Sequence, residues 1–305
     1  LFIRSQPQAA RQWVEKAMSL QLRLVQLNPR RREYQSDLAV SYNNLGAILS
    51  DLAQWSDAER CFRDAIAIQQ RLATAAPLVP AYRRDLAHSF NNLGLSQSSA
   101  HALTAAEASF RKALDIQSEL AAQHPSDAGV LSSLGGIYNN LGVAQQSQQQ
   151  WTKASNAFER AVTAQRQALE IAPRAAQYTA ALSKHYYNQA QVLLKLDRAA
   201  DAAQVVLQRR ALWLHDAERL SRIAEELSAI CKRLEPGPAR RELTQEVLAT
   251  LRAARDAGLG TGTSRELQSD KSLPATVNST VPDPSTNDLC ASAQAASDFC
   301  PSEID

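Results

Sequence analysis

The string Asn-Asn-Leu-Gly stands at residues 43–46, 91–94 and 139–142, each copy displaced from the last by 48 residues. One more step of 48 lands on Tyr187, Asn188, Gln189 and Ala190, a weakened copy. Other columns keep the same step: Tyr42, Phe90, Tyr138 and Tyr186; Leu38, Leu86, Leu134 and Leu182; Ala58, Ala106, Ala154 and Ala202; Phe62, Phe110, Phe158 and Val206. Prolines recur at Pro29, Pro77, Pro125 and Pro173. Four units align without a gap. Self-similarity at a fixed period of this size marks a repeat array, in which each unit buries its apolar face only against its neighbours. The core is then a strip along the chain, not one globular centre.

Within a unit, Leu38, Tyr42, Leu45 and Leu49 follow at steps of four, three and four residues, which puts them on one stripe of a helix. Ala58, Phe62, Ala65, Ile68 and Leu72 do the same in the second half. A text crowded with alanine, glutamine, leucine and arginine favours helix too, and 10 Gly, 12 Pro and 6% aromatics argue against a many-turned β-sandwich. The two helices meet within residues 51–57, where Ser56 or Asp57 is expected to cap the second. The proline that ends each unit disfavours helix in the residue before it. Each repeat is therefore predicted to be a helical hairpin. Gly46, Gly94, Gly142 and Ala190 on the first helix are expected to face Ala58, Ala106, Ala154 and Ala202 on the second. A helical glycine costs about 0.5–1 kcal/mol against alanine, so its repeated use calls for a close approach.

These columns resemble the tetratricopeptide repeat (TPR) family, whose pattern runs W-x2-L-G-x2-Y, then A-x3-F, then P. The tryptophan column is Tyr42, Phe90, Tyr138 and Tyr186; Leu-Gly is Leu45-Gly46, Leu93-Gly94 and Leu141-Gly142; A-x3-F is Ala58/Phe62, Ala106/Phe110 and Ala154/Phe158. The period is 48 where the family has 34, and the surplus lengthens each helix by about two turns, at Leu38 and at Leu72. Such long-helix variants are similar to the repeats of kinesin light chains and to the carboxy-terminal arrays of bacterial, planctomycete-type Ser/Thr kinase-like proteins. The resemblance implies an all-α fold, a right-handed α-solenoid of TPR-like helical hairpins. Residues 1–29 then form a partial repeat with its second helix only, residues 30–216 four units, and residues 217–257 a degraded capping pair. Residues 258–305, rich in Gly, Ser, Thr, Pro and Asp, read as a disordered acidic tail of net charge −5 on a body of +7, together the formal +2. The chain begins at Leu1 rather than Met, and the missing first helix at that end leads us to expect a longer parent.

No P-loop, HExxH, GxSxG, kinase HRD/DFG set or clustered His/Cys ligands occur, so no catalytic residue, cofactor or metal site is expected. GLGTGT at 258–263 lacks a lysine and the strand-loop-helix context of a phosphate loop, and reads as linker. A net charge of +2 does not point to nucleic acid, and the clusters Arg30 to Arg32, Arg83-Arg84, Arg209-Arg210 and Arg240-Arg241 read as solvated faces or helix-end charges. No run of eighteen apolar residues exists for a membrane span. Cys61, Cys231, Cys290 and Cys300 show no CxxC spacing, and a reducing, cytoplasmic location is expected.

One column stands out as a candidate binding site: Asn44, Asn92, Asn140 and Asn188, kept even in the unit that has lost its Leu-Gly. An amide carries donors and an acceptor, enough to grip a peptide unit irrespective of its side chains. Groove asparagines of similar repeats contact bound peptide backbone, so the resemblance implies a ladder for an extended ligand; the same amides could equally hold repeat to repeat. Asn43, Asn91 and Asn139 flank the ladder, with His88 and Lys184 one turn away. This neutral, amide-rich groove fits an extended, moderately apolar peptide rather than a terminal carboxylate. The expected function is a non-enzymatic protein-interaction scaffold. The alternatives are the regulatory region of a larger Ser/Thr kinase-like protein and self-association through an exposed first helix.

Overall fold

A computed structural model describes residues 7–258; residues 1–6 and 259–305 lie outside the described residues, and with them the expected acidic tail, Cys290 and Cys300. The helices run α1 (Pro7–Leu27), α2 (Arg32–Asp51), α3 (Trp55–Ala75), α4 (Pro80–Ser99), α5 (Leu103–Gln123) and α6 (Ala128–Ser147). They continue with α7 (Trp151–Ile171), α8 (Ala176–Lys195), α9 (Ala199–Arg210), α10 (Ala217–Cys231) and α11 (Pro238–Asp256), and no strand occurs among the described residues. The fold is all-α, a stack of helical hairpins. The first helices α2, α4, α6 and α8 have 20 residues each; the second helices α3, α5 and α7 have 21, as does α1. Each helix packs on the next in sequence, and α2 also meets α4, α4 meets α6, and α6 meets α8. The first helices thus form the closer-packed layer of the stack.

The glycine column sits under an aromatic ring. A Cβ added at Gly46, Gly94 or Gly142 would lie 2.8, 2.6 or 2.7 Å from a ring carbon of Phe62, Phe110 or Phe158. Those rings are at most 1% exposed. Each glycine therefore clears space for the phenylalanine four residues beyond the alanine expected from the sequence: the alanine is too short to need it, whereas the flat ring fills the gap. In the fourth unit both partners change together, to Ala190 and Val206, and both remain fully buried.

The expected caps at Ser56 and Asp57 are not formed. Helix α3 begins at Trp55 after Gln54, with no side-chain capping bond, and Asp57 inside the first turn pairs with Arg60 at 2.8 Å. The chain reverses instead through a left-handed residue at the same place in every unit, Ala53, His101, Gln149 and Asp197, with φ of 56°, 60°, 58° and 58°. This lets the Gln54 N–H donate back to the Leu49 carbonyl at 2.8 Å, closing the end of α2. The left-handed region costs an L-residue about 1–2 kcal/mol, of which glycine's greater unfolded-state freedom would return roughly half. Ala53→Gly should therefore raise stability by up to about 1 kcal/mol, and Asp197→Gly by less, because Asp tolerates this conformation. Calorimetric melting of both variants checks the order; a lower melting temperature for Ala53→Gly would refute it.

Polar seams join the units. Gln117, 1% exposed, donates from α5 to the Val130 carbonyl in α6 at 2.8 Å, and Gln165 repeats this from α7 to the Tyr178 carbonyl in α8 at 3.2 Å. Gln97 reaches Glu59 at 2.8 Å and Gln145 reaches Glu107 at 3.1 Å. Arg209 and Arg210 do stand at a helix end, in the last turn of α9, but are paired there: the first with Glu226 of α10 at 2.6 Å and the second with Glu246 of α11 at 2.8 Å, tying both helices to α9. The partly buried neighbours make these pairs more than loose surface contacts. At the other end α1 keeps an apolar stripe open: Leu24 is 41% exposed, whereas Leu72 and Leu120 in the same column are 2% and 0%.

Candidate functional site

The asparagines form a ladder from repeat to repeat. Asn92 donates its amide N–H to the Asn43 side-chain oxygen at 3.4 Å, Asn140 to Asn91 at 2.9 Å and Asn188 to Asn139 at 2.8 Å. Each bond crosses from one first helix to the preceding one, and Asn139 is buried by it. The ladder consumes one of the two N–H donors of Asn92, Asn140 and Asn188 and leaves the other donor and the side-chain oxygen. Asn44, the first member of the predicted column, takes part in no rung and is exposed.

Between α4 and α6 the same face opens into a cleft of about 440 Å³, lined among others by Asp85, His88, Asn91, Ser133, Gly136 and Asn140. Three predicted site residues, His88, Asn91 and Asn140, therefore converge. Lys184 belongs to α8 and lies outside the residues that line this cleft, as do Asn43, Asn44, Asn92, Asn139 and Asn188. Gly136 lies on the open wall of this cleft. A Cβ built there meets nothing within 4 Å, in contrast to Gly135 beside it, where the Ala161 carbonyl oxygen lies 3.0 Å away. The columns of the repeat put Val40, His88 and Lys184 at the position of Gly136.

Charge in the cleft is unevenly compensated. Arg84 is drawn to Asp127 at 3.7 Å, and Asp127 also caps α6 by accepting the Val130 N–H at 3.0 Å. Asp85 makes no hydrogen bond or ion pair among the described residues. Burial pushes its carboxyl above the usual range, with His88 and Arg84 pulling the other way. The sequence reading passed over Asp85, which occurs in a column shared only with Asp37 as a carboxylate, followed by Ser133 and Ala181.

A larger cleft of about 610 Å³ lies against α5, α6 and α7, and it contains none of the predicted residues. Its rim is internally engaged: Arg160 donates to the Tyr138 hydroxyl at 3.2 Å and Arg111 pairs with Glu107 at 2.7 Å. Beside Lys184, His185 points the opposite way, 3% exposed, with neither ring nitrogen hydrogen-bonded. Burial, and secondarily the Lys184 charge, lowers its pKa to about 4. Among the described residues no group of His, Cys, Asp and Glu could hold a metal ion, and no helix is long and apolar enough to cross a membrane.

The tetratricopeptide repeat family model matches residues 38–73 and 134–173, which fall on α2–α3 and α6–α7. Comparison with curated proteins gives no match. Among solved structures the chain is similar to BtubC (BKLC) from P. vanneervenii, with 16% identity, 96% of this chain and 99% of that one covered, and a TM-score of 0.53. It is similar also to the apo form of RapI, with 13% identity, 88% and 81% coverage and a TM-score of 0.54. A Podosopora anserina protein of nearly identical TPR-like repeats, described as a kinesin light chain, aligns at 18% identity over 73% of this chain and 95% of that one, with a TM-score of 0.48. Repeats of this family typically mediate protein–protein interactions and are generally non-catalytic. The family match over two hairpins, with the 48-residue columns and the glycine-on-phenylalanine packing that carry the same pattern through the array, makes this a chain of tetratricopeptide-like repeats.

Proposed function

We propose that this protein binds an extended segment of a partner protein along the face of α2, α4, α6 and α8, with the α4–α6 cleft as its deepest seat. The observation that carries this reading is Gly136. A glycine in mid-helix costs about 0.5–1 kcal/mol, and the packing that explains Gly94 or Gly142 is absent here, since nothing approaches within 4 Å. The glycine leaves its stretch of the wall bare beside Asn91 and Asn140, whose remaining amide groups suit the carbonyl and N–H of a passing peptide unit. The ligand would be extended because the amides recur once per repeat along the face.

Asparagine substitutions are a poor test, because each also cuts a bond between repeats. Gly136 separates the two roles. Gly136→Ala should stabilise the fold by about 0.5–1 kcal/mol in urea unfolding and leave the cleft usable. Gly136→Trp should fold equally well and fill the cleft. Proteins recovered on the immobilised chain and identified by mass spectrometry should be kept by Gly136→Ala and lost by Gly136→Trp. Recovery unchanged by Gly136→Trp would overturn the groove as the binding face.

A further inference from the structure

We propose that the α4–α6 cleft receives a lysine or arginine side chain of the bound segment, which pairs with Asp85; this rests on the groove reading above. Four ionisable side chains line the cleft: Arg84, Asp85, His88 and Asp127. Arg84 and Asp127 are drawn to each other at 3.7 Å, and Asp127 is further committed to the amino end of α6. That leaves the Asp85 carboxylate without an ion pair or hydrogen bond among the described residues, acted on only through space by Arg84 and by His88 one turn further along α4. A half-buried carboxylate left so is poorly solvated and poorly paired, and an incoming cation restores both the charge balance and the lost hydrogen bonds.

The space suits a long side chain. The missing Cβ at Gly136 leaves open volume, and Ser133, Asn91 and Asn140 stand around it with acceptor oxygens for the remaining N–H groups of a guanidinium or ammonium. The stem of such a side chain would lie along Val130 and Ile137, the apolar part of the lining. The position along the array follows too. Carboxylates occupy this column only as Asp37 and Asp85, in the first two units, while Lys184 supplies the exposed cation of the fourth. The basic residue of the ligand therefore sits toward α2 and α4, and the part crossing α8 carries no matching positive charge.

The probe is a capped peptide, Ala-Val-Ser-Ala-Arg-Ala-Ser-Val-Ala, with a twin in which citrulline replaces arginine, keeping the shape but removing the charge and exchanging one nitrogen with its N–H donors for an acceptor oxygen. Binding to the full chain is followed by fluorescence anisotropy and by the backbone amide signals of Asn91, Ser133 and Asn140. The arginine peptide should bind about tenfold tighter than its twin, the size of one charge-assisted contact. Asp85→Asn should erase that difference, and Asp115→Asn, in the other cleft, should leave it intact. Equal binding of the two peptides, both perturbing these amides, would overturn the cation pairing and leave the groove reading standing. If neither peptide perturbs them up to millimolar concentration, both readings fall.

Discussion

Gly94→Leu is expected to cost about 3 kcal/mol or more and to lower the melting temperature by roughly 10 °C, because the branched side chain would be forced into a fully buried ring. Even a single added methyl would stand 2.6 Å from the Phe110 ring carbon, and Phe110 is 0% exposed, so the ring has nowhere to withdraw. The fourth unit shows how the same site tolerates that methyl: there alanine is paired with valine, as Ala190 and Val206. Gly94→Ala alone should destabilise by overpacking, and Phe110→Val alone by leaving a cavity. The double variant should cost less than the sum of the two, with a coupling of about 1 kcal/mol or more in a double-mutant cycle. Additive losses in denaturant unfolding would show that the glycine and the ring are not paired energetically.

The second large effect is set by pH. His185 has a folded-state pKa of about 4 against an ordinary 6.5, so the folded chain binds a proton less readily than the unfolded chain. Between those two values acid pulls the equilibrium toward unfolding, and stability is lost as pH falls below 6.5, the loss levelling off below 4. The shift corresponds to about 3 kcal/mol in full, of which about 2 kcal/mol should be gone between pH 7 and pH 5. His185→Ile places there the residue that Ile137 supplies in the same column of the third unit. The difference in urea stability between parent and variant should therefore change by about 2 kcal/mol over that range, whatever the carboxylates contribute. Parallel pH profiles for the two proteins would rule out the buried neutral imidazole.

The hairpins and the period were legible because they are local and repeated. Leu38, Tyr42, Leu45 and Leu49 encode a helix stripe on their own, and the 48-residue step copies it. The turn was not legible. A left-handed position is usually signalled by glycine, and here Ala53, His101, Gln149 and Asp197 share only a backbone angle. The partners of the asparagine column were also hidden, for a geometric reason. Column comparison sets Asn92 against Asn44 and Asn140, whereas the bond joins Asn92 to Asn43, a step of 49 residues between two different columns. The cleft escaped for the opposite reason: its wall includes Gly136, where the column Val40, His88 and Lys184 breaks, and periodicity averages such breaks away. Asp85 was overlooked with it, since a lone acid on a helix face looks like ordinary solvated surface until its lack of a partner is seen.

The rungs between first helices have a consequence for how such a chain can change in length. Asn92 to Asn43, Asn140 to Asn91 and Asn188 to Asn139 are the same joint made three times. Cutting out any 48 consecutive residues inside the array would bring Asn140 against Asn43, or Asn188 against Asn91, with the same donor and acceptor. Duplicating 48 residues would do the converse. The joint acts as an interchangeable coupling, so the number of units, and with it the length of partner that can be laid along them, can be counted up or down without redesigning a single contact.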